Sequence, residues 1–121
     1  MSKSIAYDKA YELAIRIVKC CQFLQGEKKE YILSKQLLRC GTSIGANLAE
    51  ANGAISDADF SAKISISYKE CQETKYWLNL LKDTDFLSLE QFSSIHNDAD
   101  DIGKILFSIL KTTRIKRTVN S

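Results

Sequence analysis

Residues 57–83 read DADFSAKISISYKECQETKYWLNLLKD, and their spacing decides the fold. Phe60, Ile64, Ser67, Cys71, Thr74, Leu78 and Leu81 recur in alternating steps of four and three. That is a heptad seam, which a helix presents along one side. A half-buried strand would alternate every second residue, and this stretch does not. The middle of the seam is small (Ser67, Cys71, Thr74), which predicts close approach of a neighbouring helix there. Ser56 stands where an N-cap is expected, and Asp57 and Asp59 suit the positive end of the helix dipole. A second face carries Ile66, Glu70, Glu73, Trp77 and Leu80.

Upstream, Leu33, Leu37, Cys40, Ile44, Leu48 and Ala51 recur every three or four residues and fall within a stripe of roughly 80° on a helical projection. They predict a helix over about 31–52, with Gly53 as its stop. Ala6, Ala10, Leu13, Ile17, Cys20 or Cys21, and Leu24 predict another over about 5–25. Gly26 follows as a candidate left-handed cap, and Glu27, Lys28, Lys29 and Glu30 form a charged connection. Downstream, Phe92, Ile95, Ala99, Ile102, Leu106 and Ile109 predict a fourth helix over about 89–115, opened by a Ser88/Gln91 capping box. Phe86 and Leu87, between the third and fourth helices, are expected to close one end of the core. Four long amphipathic helices with short connections imply an all-α, up-down-up-down antiparallel four-helix bundle in a single domain, residues 1–121.

Composition agrees. The chain has 121 residues, no proline and five glycines, which favours long helices. Hydrophobic residues are 45% and charged residues 26%, ordinary for a globular protein. The net charge of +2 is too small to argue for nucleic-acid binding by itself. No apolar run is long enough for a membrane span or a signal peptide, so a cytoplasmic protein is expected. Cys20, Cys21, Cys40 and Cys71 form no C-x-x-C pair and the one histidine, His96, is distant in sequence. They read as reduced thiols, with Cys40 and Cys71 in the core, and no metal or cofactor is expected.

The second helix carries an unusual polar stripe beside its apolar one: Gln36, Arg39, Ser43, Asn47 and Glu50. Ser43 and Asn47 are four apart, Asn47 and Glu50 three apart, so each couple is within reach. Gly41, Gly45, Ala46 and Ala49 leave much of the remaining surface small. We read Arg39, Ser43, Asn47 and Glu50 as a polar network between helices or subunits that sets register. A solvated face with local pairs is the plainer alternative.

At this stripe the sequence resembles a known family. Residues 36–51, QLLRCGTSIGANLAEA, show Gln36, Leu37, Arg39, Ser43, Ile44, Asn47, Leu48, Ala49 and Glu50 in the order typical of the bacterial four helix bundle proteins, also called 23S rRNA-intervening-sequence proteins. Lys69, Glu70, Glu73, Thr74, Tyr76, Trp77, Leu78, Leu80 and Leu81 match a second block of one branch. Cys40 and Gly45 depart from the usual alanine or serine and the usual proline. The resemblance covers essentially the whole chain. It implies a homo-oligomeric bundle, a homopentamer in looks, without enzymatic activity, and related to accessory proteins of retroelements that work with a reverse transcriptase and RNA.

Two roles follow as expectations. In the first, the bundle engages RNA, DNA or a nucleic-acid enzyme through Lys111, Arg114, Lys116 and Arg117, reinforced by Lys3, Lys9, Arg16 and Lys19. In the second, it is a structural or protein-interaction module with no nucleic acid, and Tyr76 and Trp77 mark its interface. Catalysis is not expected. His96 has no arginine four to seven residues upstream and Ser93 three before it, so neither an R-x4-6-H arrangement nor the E-x-x-H of di-iron bundles is present.

Overall fold

The computed structural model describes the backbone of residues 2–120 and the side chains of residues 5–113. Its elements are α1 (Ser2–Gly26), α2 (Leu33–Asn52), α3 (Asp57–Asp83) and α4 (Leu89–Asn120). Each helix packs against two neighbours, in the cycle α1–α2–α3–α4–α1. This is the antiparallel four-helix bundle that the periodicity predicts.

The stripes meet in one core. Ala6, Ala10, Leu13, Ile17, Cys21 and Leu24 of α1 are buried. So are Leu37, Cys40, Ile44, Leu48 and Ala51 of α2, and Ile64, Cys71, Leu78 and Leu81 of α3. Of the adjacent pair, Cys21 faces inward and Cys20 is half-buried. In α4 the stripe ends on Leu110, with Ile109 half-buried beside the core, a correction to the expected pattern. Leu110 keeps the step of four from Leu106, which holds it on the inward face.

The small centre of the α3 seam serves the predicted close approach. Ser67 Oγ donates to the Ile44 carbonyl of α2 at 2.8 Å. Cys71 Sγ reaches the Ala99 carbonyl of α4 at 3.1 Å, and Cys21 Sγ the Ser34 carbonyl of α2 at 3.3 Å. Three of the four helix pairs thus carry a buried polar pin between a small side chain and a neighbouring backbone.

The ends show which local rules hold. Ser56 Oγ accepts from the Asp59 N–H at 3.0 Å. Ser88 and Gln91 form the reciprocal capping box: the Ser88 N–H donates to Gln91 Oε1, and the Gln91 N–H to Ser88 Oγ. Asp85 is left-handed (φ 67°), and the Phe86 and Asp85 N–H groups reach the Leu81 and Lys82 carbonyls, a Schellman closure of α3. Leu87 is buried and Phe86 packs against the core, closing this end.

Two expectations fail at the α1–α2 connection. Gly26 is not a left-handed cap; the positive φ falls on Lys29 (55°), and the Glu30 N–H closes the turn on the Leu24 carbonyl. The expected start of α2 near residue 31 also fails, and the cause is Glu30. It is buried, and its carboxylate accepts the N–H groups of Ile32, Leu33 and Ser34 at 3.1, 3.0 and 2.7 Å. Those are orphan donors at the start of α2, which therefore begins at Leu33 and not near residue 31.

Candidate functional site

The polar stripe of α2 lies along its seam with α3. Arg39 spans the two helices: its Nη1 donates to Glu70 Oε2 at 2.8 Å and its Nη2 to Glu73 Oε2. Glu73 Oε2 also accepts the Trp77 indole N–H at 3.0 Å. The Trp77 and Arg39 bonds together hold the Glu73 carboxyl below its ordinary range, and the paired carboxylates push the Arg39 guanidinium further up. One turn from the end of α2, Glu50 Oε1 accepts from Lys63 Nζ at 2.7 Å. The two helices are thus tied at both ends of the stripe by ion pairs.

Between those ties the expected couples do not form through their side chains. Ser43 Oγ donates to the Arg39 carbonyl at 2.7 Å, and Asn47 Nδ2 donates to the Ser43 carbonyl at 2.8 Å. Both side chains are half-buried, while Arg39 and Glu50 are exposed. Short polar side chains four residues on from a helical carbonyl find that carbonyl first. The stripe is a strip of α2–α3 ties flanking two back-bonded residues.

Trp77 packs against the core with its N–H satisfied, and Tyr76 stands outside it, 59% exposed, its ring edge-on to Trp77 at 5.0 Å. A second exposed apolar row was not anticipated. Tyr11, Ile15 and Val18 of α1 are all exposed, and their i, i+4, i+7 spacing puts them on one face, away from the buried row. The signal was in the sequence, as a second apolar periodicity in the same helix.

Among the described residues the basic candidates are dispersed. Lys111 is exposed near the end of α4, while the side chains of Arg114, Lys116 and Arg117, like that of Lys3, lie outside the described residues. Arg16 is engaged by Asp98 and by the Ser94 hydroxyl and carbonyl of α4. Lys9 lines a small depression with Glu12, Asp98 and Asp101.

Arg16 also forms one wall of an open groove of about 660 Å³ between α1 and the start of α4. Its apolar lining is Cys20, Phe23, Leu87 and Ile95, and the charged Lys19 and Glu90 line it too. Burial pushes the Cys20 thiol up to about 11 despite Arg16 nearby, so it is no thiolate at neutral pH. His96 is half-buried, with its ring 4.8 Å from that of Phe92. Desolvation first, then Lys75 and Lys82, lower its pKa. Among the described residues no group of three His, Cys, Asp or Glu side chains is placed to hold a metal ion, and no helix is long and apolar enough to cross a membrane.

Comparison with known proteins bears on the same surfaces. No curated protein matches this chain. A crystal structure of a protein with unknown function from the S23 ribosomal protein family of Bacteroides thetaiotaomicron is similar at 50% identity, with a TM-score of 0.90 over 92% of this chain and 99% of that one. The family model described as 23S rRNA-intervening sequence protein matches residues 2–108, a span that takes in both ion-pair ties, the α1–α4 groove and the exposed row of α1. With nearly the whole bundle inside that match, the chain belongs to the 23S rRNA-intervening sequence protein family.

Proposed function

We propose that this protein is a non-enzymatic assembly module of the cytoplasm. Copies self-associate, as a homopentamer by the family resemblance, and the assembled particle serves as an accessory to RNA, DNA or a nucleic-acid enzyme. The observation that carries the assembly part is the exposed row Tyr11, Ile15 and Val18, a second apolar face on a helix whose first is already buried. Tyr76, edge-on to Trp77, offers an aromatic contact on the opposite side of the bundle. Of the stripe Arg39, Ser43, Asn47 and Glu50, Arg39 and Glu50 tie α2 to α3 while Ser43 and Asn47 brace α2 between them, and the four together fix the shape each copy presents to the next. Nucleic acid meets the basic end of α4, where Lys111 is exposed and Arg114, Lys116 and Arg117 follow in the sequence. Repeated around a ring, that end becomes a surface able to engage several phosphates.

A second reading, a protein-interaction module without nucleic acid, is favoured by the Arg16–Asp98 pair and by the carboxylates beside Lys9. These compensate cations that would otherwise extend the basic surface. Two measurements separate the readings. Native mass at micromolar concentration is expected to give an oligomer; a monomer would refute the assembly. A gel-shift titration at two salt concentrations is expected to show binding that weakens with salt. Absent or salt-insensitive binding would leave the second reading.

A further inference from the structure

The seam between α3 and α4 holds an open depression of about 430 Å³, away from the α2–α3 ties and the α1–α4 groove. Two rows face it. On α3, Tyr68, Gln72 and Lys75 stand at i, i+4 and i+7; on α4, Asp100, Lys104 and Phe107 repeat that spacing. Lys111, exposed, continues the α4 row one turn beyond Phe107. Tyr68 and Phe107 set two aromatic rings side by side, with centroids 6.0 Å apart and planes tilted by 44°. Phe107 is 47% exposed, so much of its ring meets solvent and not the core.

The charges around the rings are unequal. Lys75 Nζ donates to Asp100 Oδ1 at 3.2 Å, and Lys104 Nζ lies 3.3 Å from Asp100 Oδ2. One carboxylate thus serves two ammoniums, and Lys111 adds a third cation to the same row. The Lys104 side chain is 75% exposed, which leaves its ammonium room for a further anion. Asp98 and Asp101 line the depression on the α1 side of α4 instead, and Glu70 and Glu73 are held by Arg39 on the α2 side of α3. Gly103 lies between the two rows. A Cβ there would meet Cys71 Sγ at 3.4 Å, and Gln72 Oε1 and Lys75 Nζ at 3.9 Å, contacts of ordinary length. Packing therefore does not demand glycine, and glycine inside a helix costs stability. Its effect is to keep the floor beside the Gln72 amide and the Lys75 ammonium free of a side chain.

We propose that the α3–α4 seam binds single-stranded nucleic acid: a base stacks on the exposed Phe107 ring beside Tyr68, and its flanking phosphates meet Lys104 and Lys111. This rests on the nucleic-acid reading above and gives it a site, leading into the basic end of α4. An open aromatic face flanked by mobile ammoniums is the pairing that takes a base together with its backbone. The Gln72 amide and the Ser108 hydroxyl line the same depression, and each both donates and accepts, so they meet a base edge without selecting one base. A duplex keeps its bases stacked on one another and has none to offer the ring. A plain polyanion would use the lysines and leave the ring idle.

Fluorescence anisotropy of the full chain with labelled oligo(U) and oligo(dT) of about ten nucleotides tests it. One or both strands are expected to bind, more tightly than a duplex of the same length, and to weaken as salt rises. Phe107→Leu keeps an apolar side chain and removes the ring; it is expected to weaken binding about tenfold, and Phe107→Tyr to restore it. Lys104→Gln should weaken binding and flatten its log–log salt dependence by about 0.7. Asp100→Asn releases both ammoniums and should tighten binding about twofold to fivefold, a gain that a merely structural Asp100 would not give. These positions lie outside the buried core, so native mass and helical circular dichroism should stay those of the wild type. A changed native mass in Phe107→Leu would put the ring between copies and overturn the site, as would polyglutamate competing as well as the oligonucleotide. If no strand binds at all, the nucleic-acid reading falls and this site with it. If strands bind but Phe107→Leu and Asp100→Asn change nothing, only this site is overturned.

Discussion

Glu30 shows how one side chain sets an element boundary. Burial alone would raise its pKa, but the Leu33, Ser34 and Ile32 N–H groups and the Ser34 hydroxyl together outweigh that and hold it below its ordinary value of 4.5. A carboxylate with a depressed folded-state pKa stabilises above its unfolded value, and that contribution is lost as pH falls through the folded value. Glu30→Gln keeps the shape and removes the charge. It is expected to cost about 1–2 kcal/mol at pH 7. Urea unfolding of both proteins should show the gap narrowing below pH 4.5, as the wild-type carboxyl protonates. A gap that stays constant with pH would mean the charge is not what caps α2.

The helices divide by what a pattern can specify. Periodicity specified the seams, because a helix turns each apolar residue to a fixed side; α3 runs over 57–83 as its spacing and Ser56 cap indicate. The start of α2 was not legible, since Glu30 reads only as one charge of the connection Glu27–Glu30 until the chain folds it back over three N–H groups. Nor were the partners of Arg39, because Glu70 and Glu73 are over thirty residues away and only the α2–α3 alignment brings them opposite. The α1–α2 pair gives a sharper case. A Cβ at Gly41 would lie 2.8 Å from Ile17 Cγ2 and 2.9 Å from Cγ1. Ile17 is fully buried and β-branched, so its Cγ atoms cannot both swing aside. At Gly45 the nearest atom, Ala10 Cβ, is 3.6 Å away, an ordinary contact. Gly41→Ala should therefore destabilise by about 1 kcal/mol net of its better helix propensity, and Gly45→Ala should stabilise by up to about 1 kcal/mol. Thermal or urea melts giving both the same sign would show that backbone propensity, not the α1–α2 contact, decides.

For the whole molecule, in the proposed assembly the surface turned to other copies would depend on how the four rods are aligned, and the α2–α3 stripe is the place to disturb that alignment gently. Asn47→Leu removes one half-buried bond within α2 and should leave helical content intact while altering assembly, read as native mass beside circular dichroism. Unchanged assembly at normal stability would remove Asn47 from the register set. The thiols add a different reading of the same particle. Burial raises Cys21 to about 12 and Cys20 and Cys71 alike to about 11, so access is what separates them: the Cys21 and Cys71 Sγ atoms are spent on carbonyls of neighbouring rods, whereas half-buried Cys20 borders an open groove. An alkylating reagent should thus meet one sulfur in the folded chain and the interior ones only when the rods part, so that the rate of the slow modifications times the opening of the bundle without any added label.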